Sequence, residues 1–409
     1  MKFCHNYAKN KLLLVMRLKF NLSFIMFIHV GIFGIINPII SFYFINKLHF
    51  TPSQAGIILA VSSIPFLISP FISAFIAGIY ISSEKLFALF HFAAAAIMLA
   101  FYYQKDFYIV LVLFTLYRVV TAPTLSIINA IVFQHSEREK YGSIRLWGTM
   151  GWVAAAWLSG SFIAAAILSI VVGTITLFIF SKQKFKKKES KTPDMSCLQV
   201  LIKPEVILLI SLNLSLTIAD QYYFFFTAPV LKQLGLKEYF ILPAMSIAQI
   251  SEIFTMYALA HVIKNIRYKT IIMIGILTEM ARFACYSIVK TAPVLIATQL
   301  IHGPAFVFTI IVSLIYLDKH CDEKSRSGVQ LIYGVLTMGL GSIIGNYVAG
   351  QTGEFFTDAV SRQINYNMVF LVPLSISLLT LLGMIIFYRR DRRSVNGKLQ
   401  TGRPQREAV

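Results

Sequence analysis

The chain has 409 residues, is 57% hydrophobic and only 13% charged, and has a mean hydropathy of +0.71. A soluble domain carries roughly a quarter charged residues, so this composition excludes a water-soluble enzyme, a disordered chain and a disulfide scaffold. Long uncharged runs point instead to an integral membrane protein.

An apolar helix crosses a bilayer in about 20 residues. In chain order that window predicts spans over 22–45, 54–81, 86–104, 107–133, 143–160 and 162–181. A second set follows over 206–231, 239–263, 268–289, 292–317, 327–350 and 367–388. The first is too long for a signal-peptide core and no small-residue cleavage site follows it, so it reads as a membrane helix. Met16 stands just before a basic flank and is an alternative start to Met1. The apolar stretch from Leu146 to Phe180 is divided at Ser159-Gly160-Ser161, because unbroken it would exceed the bilayer core. The polar run 351–366 reads as a loop.

The expected organisation is an N-terminal six-helix half over 1–181, a basic linker over 182–205, a C-terminal six-helix half over 206–390 and a basic tail over 391–409. With the N-terminus inside, the cytosolic segments hold 28 Lys and Arg and the external loops hold six. That asymmetry is the positive-inside signature and puts both termini in the cytosol. It also accounts for the net charge of +19 without nucleic acid as a partner. The linker, rich in lysine, reads as a solvated connection. Cys4, Cys197, Cys285 and Cys321 show no paired spacing, so neither a disulfide framework nor a metal knuckle is expected.

Charged side chains at mid-membrane are costly and mark function or pairing. Asp220, Glu252 and Glu279 lie deep in spans, with Arg118, Arg145 and Arg282. Glu279 and Arg282 are three apart on one helix, share a face and suit a structural ion pair. Glu252 has no basic partner on its own helix and has Gln249 on the same face. Asp220 precedes Gln221 and a run of aromatic residues from Tyr222 to Phe226. A carboxylate beside an amide and aromatic faces suits a polar ring compound, and a carboxylate held out of water can also carry a proton. Either acid also fits an interhelical hydrogen bond. Arg118 suits either an anionic group on a substrate or neutralisation of one of these acids. His29, His91 and His302 fit helix–helix hydrogen bonds better than a relay. No Walker A loop, HExxH or GxSxG stands in a usable context, so no enzyme, ATP engine or cofactor is expected.

Two blocks carry a resemblance. Pro123-Thr124-Leu125 with Asn129 is followed by Ile144-Arg145-Leu146-Trp147-Gly148-Thr149-Met150-Gly151-Trp152, and further on comes Ser246-Ile247-Ala248-Gln249-Ile250-Ser251-Glu252. Arg282-Phe283 and Asp322-Glu323-Lys324-Ser325-Arg326 with Gln330 fit the same register. Together they resemble the nucleoside:proton symporter family of the major facilitator superfamily over about residues 16–390. The resemblance implies an all-α membrane protein with twelve transmembrane helices in two six-helix halves, a multi-pass monomer of the plasma or bacterial inner membrane. It implies proton-driven nucleoside import by alternating access. Carried onto this chain, Arg145, Thr149, Gln249, Glu252 and Phe306 line the substrate cavity, with Trp152 as the stacking aromatic and His302 at a tyrosine position. Asp220 and Gln221 join them from the seventh helix, where the family's amides fall at about Thr217 and Asp220. Glu252 and Asp220 are the candidate proton carriers.

The chain departs from the family at Val307, where an acidic residue is usual, and at Gly78. A lost cavity carboxylate and a gained Asp220 imply relocated coupling or a changed substrate. An organic-acid or sugar permease gripping a carboxylate with Arg118 and Arg145 stays open, as does a transporter-derived sensor that binds without moving cargo.

Overall fold

The computed structural model describes residues 2–69, 80–137, 140–157, 161–180, 196–322 and 325–401. Among the described residues, eleven helical segments are long and apolar enough to cross a membrane. In chain order they are α1 (Met16–Lys47), α2 (Pro52–Ser69), α3 (Ser83–Tyr102), α4 (Phe107–His135), α6 (Phe162–Phe180), α7 (Pro204–Gln233), α8 (Glu238–Asn265), α9 (Tyr268–Ile288), α10 (Ala292–Asp318), α11 (Gly328–Phe355) and α12 (Tyr366–Ile386). The twelfth, α5 (Tyr141–Trp157), is a helix of 17 residues. The expected split between the fifth and sixth helices falls where α5 ends and α6 begins, although 158–160 lie outside the described residues. So do 70–79 with Gly78, 181–195 in the basic linker, and Glu323 and Lys324.

Helix ends follow from local chemistry. Thr51 caps α2 in a reciprocal box with Gln54, behind Pro52 at the first helical position. Asp106 accepts from the Tyr108 and Ile109 amides to start α4. Within the membrane, several irregularities fall at proline, which removes the N–H that would continue the ladder. α1 is interrupted over Asn37–Ile39 beside Pro38, α2 over Ser62–Ile64 before Pro65, and α4 at Ala122–Pro123. In α10, Pro304 leaves the Leu300 carbonyl without its helical donor, and the Ser251 hydroxyl of α8 donates to it instead.

In the N-terminal half α1 packs on α5 and α6, and α3 packs on α4 and α6. In the other half α9 and α7 pack on α12, and α8 packs on α10. The halves meet where α2 lies on α11, α5 on α8, and the end of α1 on α7. Closest of all is α2 against α11, where a Cβ on Gly56 would lie 2.7 Å from the Gly350 Cα. Only glycine permits that backbone approach.

Five polar contacts between the halves gather at this same end. Lys47 Nζ lies 2.7 Å from Glu238 Oε2, and the Ser53 amide donates to Glu354 Oε2 at 3.2 Å. Gln351 donates to Ser53 Oγ at 2.8 Å, Trp157 Nε1 to Ser246 Oγ at 3.1 Å, and Ser41 Oγ to the Phe224 carbonyl at 3.4 Å. Lys47 and Trp157 stand where α1 and α5 end, Ser53 and Glu238 where α2 and α8 begin, and Gln351 and Glu354 where α11 ends, so this face of the bundle is sealed across the two halves.

Candidate functional site

The RxWGTMGW block occupies α5, and its glycines explain its place. Gly151 lies directly on the Phe27 backbone of α1, with no room for a side chain. This packing turns Arg145, Thr149 and Trp152 along one side of α5, where all three are half-buried. Arg145 Nη1 is buried and has no hydrogen-bond partner. Its charge lies within electrostatic reach of His29 on α1 and of Glu252 on α8. The N-terminal half therefore presents a guanidinium towards a carboxylate of the C-terminal half.

Glu252 owes its position to the α8–α10 contact. Gly303 rests on the Ser251 backbone, and the bond from Ser251 to the Leu300 carbonyl locks the two helices together. Glu252 and Gln249, one turn apart on α8, are half-buried, and Asp220 of α7 is also in electrostatic reach of Glu252. On α10 the His302 ring is stacked between Tyr223 at 5.0 Å and Phe306 at 6.2 Å. Val307 is fully buried and contributes to the apolar core of this half.

Arg282 is the hub of the C-terminal half. Its side chain is fully buried, and its Nη2 donates to Asp220 Oδ1 and to Glu279 Oε1, each at 2.6 Å. Nη1 meets His302 Nδ1, and the guanidinium lies 4.3 Å from the centre of the Tyr223 ring. The Glu279–Arg282 pair expected from spacing thus exists and extends to α7 and α10. Asp220, read equally as a cavity acid and as an interhelical partner, is engaged by Arg282 while its side chain stays 22% exposed. Tyr223 in turn donates to Gln299 Oε1 at 2.7 Å, and Gln299 donates to Tyr286 at 2.7 Å.

Between the halves lies a cavity of about 220 Å³. Trp152 and Gln221 from the expected set line it, as do Arg118, Asn37, Phe66 and Asn346. Asn37 and Asn346 were not legible as site residues, because neither carries a charge or a motif. Arg118 donates to Asn37 Oδ1 at 3.0 Å and stands over the rings of Phe114 and Phe66. It neutralises none of the three buried acids. His29 and His91 bond each other at 3.0 Å between α1 and α3, the helix–helix role expected of an intramembrane histidine.

Comparison with known proteins agrees with this architecture. The family model described as nucleoside H+ symporter matches residues 16–393. The putative nucleoside transporter YegT of Escherichia coli is 25% identical over 405 residues, covering 90% of this chain and 94% of that protein. The nucleoside permease NupG of Escherichia coli is 24% identical over 380 residues, covering 84% and 89%. The crystal structure of nucleoside transporter NupG superposes with a TM-score of 0.81 at 20% identity, covering 91% of this chain and 99% of that one. A bacterial homolog of the human lysosomal transporter Spinster superposes with a TM-score of 0.72 at 10% identity, covering 91% and 97%. The fold is that of a twelve-helix secondary transporter, and the chain belongs to the nucleoside H+ symporter family.

Proposed function

We propose that this protein imports nucleosides together with protons, the two halves rocking about a central site. The observation that carries the reading is the α5–α8 contact between the halves, where the Arg145 charge reaches Glu252, together with a cavity between the halves lined by Trp152 and Gln221. Intramembrane ionisable groups at the interface of two halves are where secondary transporters bind cargo and coupling ion. With the basic loops in the cytosol, the sealed face is external.

Each residue then has a role. The Trp152 indole offers a face for stacking a base, and Phe306 offers a second ring from the opposite half. Thr149, Gln221 and Gln249 supply hydrogen bonds to base edges and ribose hydroxyls. Glu252 accepts from a hydroxyl when ionised and carries a proton when neutral. Around Arg282 one positive charge faces two carboxylates, so one negative charge in the Asp220–Glu279 pair stays uncompensated until a proton joins it. This pair stands in for the family carboxylate that Val307 replaces. His302, held by Arg282 and stacked on Tyr223, fixes the arrangement beside the substrate.

Labelled uridine and adenosine in proteoliposomes with an imposed pH gradient test the reading. Uphill uptake that the gradient drives, and that Glu252→Gln abolishes, is the expected result. Uptake that ignores the gradient removes the proton from the mechanism, and absence of nucleoside exchange removes the substrate.

A further inference from the structure

Three arginines lie within the membrane, and their surroundings differ. Arg282 has two carboxylates at 2.6 Å, and Arg145 has Glu252 in electrostatic reach. Arg118 is only 8% exposed, and the titratable group in its reach is Tyr117, with no carboxylate among the described residues. A guanidinium withdrawn from water is destabilised unless a counterion accompanies it. Its contacts are a hydrogen bond to Asn37 and the rings of Phe114 at 5.1 Å and Phe66 at 5.7 Å, none of which carries a negative charge. A structural role would be satisfied by a neutral side chain at far lower cost.

The surroundings of Arg118 offer space and polar groups. It lines the cavity of about 220 Å³ between the halves. Three proline-interrupted helices converge there: α1 broken beside Asn37-Pro38, α2 broken at Ser62–Ile64 before Pro65, and α4 broken at Ala122–Pro123 just after Arg118. Interrupted membrane helices are tolerated where they line a binding cavity. Asn37 Oδ1 is occupied by Arg118, which leaves the Asn37 amide N–H groups for a second acceptor beside the guanidinium. Across the cavity, Gln221 Oε1 accepts from Asn346 at 3.2 Å, leaving the Gln221 amide as a further donor. Ser62 and Ser63 donate to the Leu59 carbonyl, so their oxygens remain acceptors for hydroxyl groups. Trp152 and Phe66 supply flat faces.

We propose that Arg118 is the receptor for a carboxylate, or an equivalent anionic group, on the ring compound this protein moves, with Asn37 as its second donor. The proposal rests on the reading that Trp152 and Gln221 line the substrate path. A ring stacked on Trp152 places an acidic substituent towards Arg118, and the bound anion supplies the missing counterion. The preferred cargo is then an acidic ring compound, such as a nucleoside bearing a carboxylate, over its uncharged counterpart.

The test compares uridine with uridine 5′-carboxylate as probes, measured by equilibrium binding and by counterflow without a pH gradient. Liposomes of zwitterionic lipid keep anionic headgroups from competing. The wild-type protein is expected to prefer the acid by about tenfold or more, or 1.4 kcal/mol. Arg118→Gln collapses that preference, and Arg118→Lys keeps part of it, because an ammonium is a point charge without the planar fork. Asn37→Asp gives the guanidinium an internal counterion and collapses the preference with Arg118 in place, which serves if Arg118→Gln does not fold. Uridine binding with no acid preference, or a preference unchanged in these variants, overturns the subsite and leaves the nucleoside reading intact. Acid binding without uridine binding supports the subsite and overturns the nucleoside reading. Failure of both probes overturns both.

Discussion

Arg282 of α9 and Asp220 of α7 are joined at 2.6 Å in the middle of the C-terminal half, and the same Arg282 nitrogen also serves Glu279. Removing the guanidinium strands two carboxylates together in a dry site. Arg282→Met is expected to cost about 3–5 kcal/mol, seen as a lowered midpoint of thermal unfolding in detergent. Combining it with Asp220→Asn and Glu279→Gln should recover most of that loss, because the charges then leave together. A triple variant no more stable than the single one would show that packing, not charge, sets the cost.

The same cluster makes a prediction about coupling. A gradient of one pH unit carries about 1.4 kcal/mol and sustains about tenfold accumulation for one coupled proton. Glu279→Gln leaves Arg282 with a single carboxylate and no excess charge to neutralise. Accumulation in this variant is expected to fall towards equality across the membrane. Retention of tenfold accumulation would assign the coupled proton to Glu252 alone.

Trp152 lines the cavity from the N-terminal half. Stacking of a base on an aromatic ring contributes about 1–3 kcal/mol. Trp152→Ala is expected to weaken nucleoside binding by roughly tenfold, while Trp152→Phe retains most of the affinity. Equal losses in both variants, measured by equilibrium binding, would mean that the indole N–H and not the ring face holds the ligand.

The seal between α2 and α11 depends on Gly56 and Gly350 touching through their backbones. Gly56→Leu is expected to act as a wedge and hold the external face open. With the native cysteines replaced by serine, a cysteine placed at Ser62 should react with an impermeant maleimide from outside in the Gly56→Leu background. It should be protected in the parent. Equal labelling in both would dissociate this contact from gating.

The α8–α10 junction offers a graded test of packing. Ser251→Ala removes the hydroxyl that serves the Leu300 carbonyl opposite Pro304. The expected loss is about 0.6–1 kcal/mol, in line with interhelical hydrogen bonds in membranes. Gly303→Leu forces a side chain into the Ser251 backbone and should cost several times more in the same unfolding assay.

The spans and the motif block were legible because both are local signals. Charge-free runs mark helices, and Gly148 and Gly151 at a fixed offset from Arg145 mark a helix that packs closely on another. Glu279 and Arg282 were legible as a pair because they are three residues apart. Their link to Asp220 was not, since 62 positions separate it from Arg282 and only the packing of α7 near α9 closes that gap. The cavity around Arg118 was hidden for the same reason. Pro38, Pro65 and Pro123 each read as a local interruption, and nothing along the chain says that the three interruptions meet. Asn37 and Asn346 gain significance only from what faces them.

By gripping α7, α9 and α10 at once, Arg282 welds three helices near mid-membrane. Shear among those helices would have to break buried ionic bonds with no water to replace them. That penalty makes the joined stretch of α7, α9 and α10 a stiff lever, and compliance in a transport cycle falls to the glycine-lined seam and to the proline-jointed α1, α2 and α4.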